Sequence, residues 1–241
     1  MTSLIENILV KLIAAHLMCD FVLQTDAFCE RKNKINGQGI LFQLAHALMH
    51  AILAYVFVAQ WSLWWIAVVV FLSHFVIDLI KTMLKRPDST ILFMVDQLAH
   101  VLVLLVLSYF IALGNPSIDF EYFSVWVIAS GYLILLKPTS ILISLFFNNK
   151  KWGLATDDMS LPMAGRWIGY FERILVMTFI LLGSYEAIGF LMAAKSIFRF
   201  GELRERNEIK RTEYVLLGTL MSFTIAVVVA LGTKCLISGI Q

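Results

Sequence analysis

Long apolar runs, separated by short polar segments, follow one another along the whole chain. Runs of roughly 20 apolar residues have the length that an α-helix needs to cross a bilayer. The pattern therefore predicts an all-α, polytopic membrane bundle of about seven transmembrane helices. The predicted spans are 4–25, 40–60, 62–82, 92–113, 122–147, 172–195 and 213–238.

The polar connections carry unequal charge, and this asymmetry predicts the orientation of the chain. Seven spans place three segments that contain lysine and arginine opposite the N-terminus: 26–39, 83–91 and 148–168. The positive-inside rule makes that side cytoplasmic and the N-terminus external. The segment 199–211 disagrees, because it is also basic but falls on the external side. Two alternatives stay open: the fifth span, interrupted at Lys137, is a hairpin, or 184–209 is an interfacial amphipathic helix.

The composition supports a membrane protein and excludes some partners. Hydrophobic residues make up 60% of the chain and charged residues 15%, against about 45–50% and about 25% in soluble domains. The formal net charge of +2 is too small to predict nucleic-acid binding. The three cysteines show no pairing pattern of a disulfide framework. The N-terminal residues lack a basic stretch and a cleavage site, so we do not expect a removable signal peptide.

Pairs of polar residues recur inside the apolar runs with the spacing i, i+4. Residues four apart on a helix lie one above the other on the same face. The pairs contain all five histidines and every aspartate inside a predicted span. They are His16 with Asp20, His46 with His50, His74 with Asp78, and Asp96 with His100. In the predicted topology, all of these pairs reach the same depth, in the cytoplasmic half of the membrane.

Imidazole and carboxylate groups at one depth form a donor set that suits a divalent transition metal. The pairs therefore predict a metal site inside a helical bundle, with zinc as first choice and manganese or iron as alternatives. So many ligands suit two ions about 3.5–4 Å apart, or one ion with supporting carboxylates. Polar contacts between helices are the structural alternative. The predicted metal ligands are His16, Asp20, His46, His50, His74, Asp78, Asp96 and His100.

Several polar residues are candidates for chemistry or for contact with a substrate. The predicted catalytic residues are Asp20, Asp78, Asp96 and Lys81, as orienting groups, a general base, or a cation facing an anionic group. The predicted substrate-binding residues are Gln24, Gln43, Lys137 and Arg173. The alternatives are interhelical hydrogen bonds for the glutamines, snorkelling for Lys81, and pairing of Glu172 with Lys137 or Arg173. Gln97 adjoins Asp96 and is expected to point sideways.

The motifs HLMCDFVLQTD, HALMHA, HFVIDLIK and DQLAH resemble a bacterial family of multi-pass membrane proteins, the domain of unknown function 3307. The likeness runs over residues from about 10 to 110, and RWIGYFERIL, AAKSIFRFGEL and TEYVLLGTL look similar as well. The family carries no activity over to this chain, but the resemblance implies a bacterial inner (cytoplasmic) membrane. The helical His-x-x-x-Asp pairs are loosely similar to those of inner-membrane metal-dependent hydrolases, which is a likeness of the site alone.

The sequence divides into residues 1–113, a four-helix membrane bundle with the predicted metal site, and 114–241, further membrane helices with the charged segment 199–211. Three functions stay open. The first is a metal-dependent hydrolase acting on a lipid or other anionic substrate in the cytoplasmic half of the bilayer. The others are a divalent-metal or proton-coupled transporter, and a non-enzymatic sensor or effector with a structural metal. Expected partners are membrane lipid, a second copy of the chain, and a cytoplasmic or peripheral partner at 199–211.

Overall fold

A computed structural model describes residues 2–84, 90–114, 122–148, 162–200 and 208–239, which are almost entirely helical and contain no strand. The predicted connections 85–89, 114–121, 148–167 and 199–211 lie wholly or mostly outside the described residues. The α-helices are α1 Thr2–Leu17, α2 Asp26–Lys32, α3 Gly37–Val58, α4 Trp65–Met83, α5 Thr90–Gly114, α6 Phe123–Leu135, α7 Lys137–Asn148, α8 Pro162–Leu182, α9 Tyr185–Phe200 and α10 Glu208–Ser238.

Five spans among the described residues are long and apolar enough to cross a membrane, and the chain is a membrane protein. They are Gly37–Val58, Trp65–Met83, Thr90–Gly114, Phe123–Phe147 and Glu213–Ser238. The bent pair Leu4–Leu23 and Asp26–Lys32 adds a sixth if it counts as one span. The predicted all-α membrane bundle is confirmed, with seven helices as an approximate count. Because α6 and α7 form one span, the hairpin considered for the fifth span is wrong.

The predicted span 172–195 is also wrong, because a turn divides it into two helices. Helix α8 ends at Leu182, and Gly183 follows with a φ of 75°, a conformation that glycine adopts without steric cost. The Ser184 N–H donates to Phe179 O at 2.8 Å, and the Gly183 N–H donates to Ile180 O at 3.1 Å. This pair of hydrogen bonds is a common way to end a helix.

Helix α9 then runs back along α8 as a helical hairpin. Lys195 Nζ lies 2.6 Å from Glu172 Oε2, and the two residues are about equally far from the turn at Gly183. This ion pair also corrects the expectation that Glu172 pairs with Lys137 or Arg173. The ends of the hairpin, Pro162 and Phe200, therefore lie at the same end of this helix pair.

The chain forms two compact units, Met1–Leu133 and Ile134–Gln241, whose boundary lies within α6. The division at 113/114 made from the sequence stays a prediction about domains. In the first unit, α1 packs against α3 and α5, and α4 packs against both α3 and α5. Their apolar faces meet in a core that includes Leu12, Val58, Ile66 and Ile111. Burial of this core holds in place the four helices on which the polar pairs lie.

The first predicted span, 4–25, ends in a π-helical segment, Met18–Leu23, followed by a sharp bend. Gln24 has extended backbone angles, and Thr25 caps α2 by accepting a hydrogen bond from Phe28 N at 3.3 Å. The axis changes direction by 99° between the two helices. Phe28 then packs on Phe42 of α3, so that α2 returns toward the bundle.

The turn between α2 and α3 depends on one glycine. Asn36 Oδ1 accepts a hydrogen bond from Gly39 N at 2.8 Å and caps α3. A Cβ at Gly39 would lie 1.7 Å from Lys34 O, a backbone atom. Any side chain at this position would therefore force the turn open.

In the second unit, the break between α6 and α7 follows from Pro138. A proline has no N–H, so it cannot donate to the carbonyl of Ile134 four residues earlier. The hydroxyl of Thr139 replaces that donor and lies 2.7 Å from Ile134 O. The span continues past the break, and its freed carbonyl has a partner.

Candidate metal centre

The first unit brings all eight predicted metal ligands together in one cluster. The histidine and aspartate side chains come from α1, the π-helical segment, α3, α4 and α5, and they form three groups linked through His74 and His100, with the ligand atoms of each group within 4.8 Å of one another. Three of the five rings stack, with His74 between His50 at 3.6 Å and His100 at 4.2 Å, centroid to centroid. The common depth predicted from the sequence therefore corresponds to direct contact in the structure.

Asp20 connects the histidines of three helices. Its Oδ1 lies 2.9 Å from His46 Nε2, 3.1 Å from His50 Nε2 and 3.9 Å from His74 Nε2. Its Oδ2 lies 3.5 Å from Nε2 of His16, its partner in the i, i+4 pair. Asp20 belongs to the π-helical segment, and such segments are frequent at functional sites. The wider turn presents the carboxylate to α3 and α4 as well as to its own helix.

Asp78 and Asp96 lie on a second side of the cluster, and each is paired with a lysine. Asp78 Oδ2 lies 3.5 Å from His74 Nε2 and 2.9 Å from Lys32 Nζ. Asp96 Oδ1 lies 3.7 Å from His100 Nε2, and Asp96 Oδ2 lies 2.6 Å from Lys81 Nζ. Both carboxylates are buried, so the ammonium groups offset part of the cost of burying them.

The donor atoms fit a divalent transition metal. Four of them, from Asp20, His46, His50 and His74, lie within 4.8 Å of one another, and so do three from Asp78, Asp96 and His100. Among the described residues, four buried atoms of the cluster make no hydrogen bond: His46 Nδ1, His74 Nε2, His100 Nε2 and Asp96 Oδ1. Buried polar atoms are usually hydrogen-bonded. Here His74 Nε2 and His100 Nε2 lie at ion-pair distances of 3.5 Å and 3.7 Å from carboxylate oxygens, and imidazole and carboxylate atoms that face one another in this way are suited to hold a cation.

The comparisons with known proteins concern the part of the chain that carries this cluster. Residues 8–129 match the sequence model of a family described as "Protein of unknown function (DUF3307)". The chain belongs to the DUF3307 family. No curated protein and no solved structure matches it. The matched region contains every residue of the cluster, and the DUF3307 family name assigns it no activity.

Two residues of the DUF3307 cluster were missed or misplaced by the sequence analysis. Lys32 counts in the sequence only as one of the basic residues of the segment 26–39, because the 99° bend that returns α2 to the bundle has no signal in the hydrophobic pattern. Gln97 was expected to point sideways, which is wrong. Its amide contacts Asp20 Oδ2 at 3.4 Å, Asp96 Oδ2 at 3.2 Å and His16 Nε2 at 3.4 Å, and its position beside Asp96 was the available signal.

The two glutamines predicted as substrate contacts both bond to Lys32. Gln43 Nε2 donates to Lys32 O at 3.1 Å and to Thr82 Oγ1 at 3.0 Å, which joins α2 to α4. With its amide oriented so that both ends are satisfied, Gln24 donates to Asp20 O at 3.2 Å and accepts from Lys32 Nζ at 3.1 Å. Their contact with a substrate stays a prediction, and their observed contacts position Lys32.

The other two predicted substrate contacts, Lys137 and Arg173, belong to the second unit. Arg173 is buried and donates to Leu135 O, to Leu136 O at 3.4 Å, to Ser140 Oγ at 2.7 Å and to Ser222 Oγ at 3.0 Å. It thereby supplies donors to carbonyls at the break between α6 and α7. Lys137 is half-buried at the start of α7. Substrate binding by this pair stays a prediction.

Proposed function

We propose that this chain is an integral-membrane, metal-dependent hydrolase that acts in the cytoplasmic half of a bacterial inner membrane on a lipid or other anionic substrate. One observation carries the proposal: a buried cluster of five histidines and three aspartates that contains metal-ligating atoms without a hydrogen bond. Polar contacts between helices alone would leave such atoms paired. The cluster would hold one or two divalent ions, with zinc as first choice.

A bound divalent metal lowers the pKa of a coordinated water toward about 7, which supplies a nucleophile near neutral pH. The chain's own groups would orient and accept protons around that water. Asp96 Oδ1 is buried without a hydrogen-bond partner among the described residues, so it is the best-placed proton acceptor. Asp20 and Asp78 each contact at least two histidines and would fix the orientation of those rings.

The surroundings of the cluster favour hydrolysis over transport. Four histidines of the cluster line a cavity of about 10 Å³. The rest of its lining is mainly apolar and includes Leu12, Ala54 and Leu104. This volume is about enough for one water molecule. Beyond the cavity lies the apolar core of the first unit, although α1 also carries the buried Asn7, the half-buried Lys11 and the exposed Glu6. A conduit needs polar groups on both sides of the site, so a site closed at one end supports an enzyme.

The test is metal content followed by hydrolysis, with the chain purified in a non-ionic detergent or a lipid nanodisc. We expect one or two equivalents of a divalent transition metal by elemental analysis, and hydrolysis of at least one of a phospholipid, an acyl ester or a soluble phosphate ester. Asp20→Asn should lower metal affinity by more than about 100-fold, because even supporting groups are worth about 10–100-fold.

Asp26→Asn is the matched control, because Asp26 is an exposed aspartate just after the same span, and this variant should keep its metal and activity. Wild-type protein that holds no stoichiometric metal would refute the proposal. Metal that persists with no hydrolysis in the whole panel would instead favour a structural metal.

A further inference from the structure

We infer that Lys32 and Lys81 form an anion subsite for a phosphoryl group, so that the substrate is a phosphate ester. This inference rests on the proposed hydrolase and narrows its substrate class. It assigns a role to Lys32, whose position becomes evident only from the fold.

Lys32 is held inside the first unit by a dedicated arrangement. The residue is 6% exposed, and lysine is almost never fully buried unless it is paired. Its ammonium group lies 2.9 Å from Asp78 Oδ2, and its backbone carbonyl accepts from Gln43. The bend after the π-helical segment brings α2, and with it this charge, against the cluster. A surface lysine would need none of these supports.

Lys81 lies on the side of the cluster formed by Asp78 and Asp96, and its side chain reaches the surface of the first unit. Its Nζ is 2.6 Å from Asp96 Oδ2, and its side chain is 35% exposed while that of Asp96 is 2% exposed. Asp78 and Asp96 contribute to one ligand set with His100, so the two ammonium groups flank one side of the cluster. The opposite side consists of imidazoles and the apolar cavity lining. An anionic group would therefore enter along the lysine side.

The charge balance selects the class of anion. Three carboxylates and two ammonium groups give one negative charge with neutral imidazoles, and each divalent ion adds two positive charges. With one or two ions, the centre is cationic in surroundings of low dielectric constant, where unbalanced charge is costly. A phosphate ester carries one or two negative charges and several acceptor oxygens, and lysine is a common phosphate ligand. A neutral ester would leave the excess charge in place.

The reaction is hydrolysis at phosphorus and needs no oxidant or further reactant. A bond forms between a water oxygen and phosphorus, and the bond between phosphorus and the alcohol oxygen breaks. One water proton goes to the departing alcohol oxygen by way of a carboxylate of the cluster. Lys32 and Lys81 would bind the non-bridging oxygens, whose negative charge is retained through the reaction. The phosphoryl group can come from a lipid headgroup or from a soluble ester, and the chemistry is the same.

The first test measures binding of inorganic phosphate by calorimetry to metal-loaded protein from which excess metal has been removed. We expect saturable binding to the wild type, and binding at least tenfold weaker after the metal is stripped. Lys32→Met and Lys81→Met should each weaken binding about tenfold or more, as expected for a loss of roughly 1.4 kcal/mol, while metal content stays unchanged. Lys34→Met is the control, since Lys34 is exposed in the same turn, and should bind as the wild type does.

The outcomes separate this inference from the proposed function. Wild-type protein without metal would refute both. Metal-loaded wild type that hydrolyses only carboxylic esters and does not bind phosphate would refute the inference alone, as would a double lysine variant with unchanged phosphate affinity. The measurement on the wild-type protein tests the inference even if the lysine variants do not fold. Hydrolysis of phosphatidylglycerol or phosphatidic acid vesicles supports a lipid source, and hydrolysis of p-nitrophenyl phosphate alone supports a soluble one.

Discussion

The two units bury polar side chains against different partners. In the first unit, imidazoles and carboxylates face one another, and His74 Nε2, His100 Nε2 and Asp96 Oδ1 have no hydrogen-bond partner among the described residues. In the second unit, the donors of Arg173 reach two backbone carbonyls and two hydroxyls. Both arrangements lie in apolar surroundings, where an intramembrane charge is by default a functional candidate. The partners distinguish an arginine whose donors reach backbone carbonyls and hydroxyls from a cluster that would hold the proposed metal.

If the first unit holds the proposed metal, its removal should affect this unit most strongly. At a free metal concentration about 1,000 times the dissociation constant, binding stabilises the folded state by about 4 kcal/mol. A chelator should therefore speed amide hydrogen exchange in α3, α4 and α5 and leave α8 and α10 unchanged. Mass spectrometry of peptides from each helix measures this difference. If the chelator changes amide hydrogen exchange equally in both units, or in neither, the proposed difference between the units is wrong.

Arg173→Met should affect only the second unit. The variant leaves two carbonyls at the break of α6 and α7 without the guanidinium donors, at a cost of about 3 kcal/mol. We expect a lower unfolding midpoint in detergent, with metal content unchanged. Arg166→Met, at an exposed position of the same helix, should be neutral. Loss of hydrolysis by Arg173→Met at full stability would instead support the predicted role in substrate binding.

Thr139→Val should give the smallest effect, about 1 kcal/mol, because it removes a single hydrogen bond to Ile134 O. The matched control is Thr224→Val. The Thr224 hydroxyl also bonds to a backbone carbonyl of its own helix, that of Leu220 four residues earlier, at 2.8 Å. In this unbroken helix the carbonyl keeps its backbone donor. Equilibrium unfolding of both variants tests the difference. Equal losses would mean that the hydroxyl is not compensating for Pro138.

The assembly of the cluster could be predicted because it depends on one simple period. Residues at i and i+4 share a helix face whatever the tertiary structure is, and four such faces at one depth leave few ways to pack. The position of Lys32 could not be predicted in this way. It depends on the π-helical segment and the 99° bend, which arise from backbone geometry at Gln24 and Thr25 and leave the average hydropathy unchanged.

The predicted span at 172–195 failed for a related reason. Hydropathy averaged over a window does not register two small residues, Gly183 and Ser184, that end a helix through a local hydrogen-bond pattern. Arg173 illustrates the same limit at the level of a side chain. An arginine in an apolar run suggests a ligand contact, and only the coordinates reveal that its donors reach the carbonyls of Leu135 and Leu136.

The α8–α9 hairpin also determines where the two ends of the polypeptide lie. A hairpin returns the chain to the surface that it left, at any depth it reaches, so it adds no net crossing. With the bent pair Leu4–Leu23 and Asp26–Lys32 as one span, the described residues make six crossings. The positive-inside rule then predicts that both ends of the described chain lie on the external side and that the segment 199–211 lies on the cytoplasmic side with the other basic segments. A reporter enzyme that works only outside the cytoplasm should be active when fused after residue 241, and activity confined to a cytoplasmic reporter would refute six crossings.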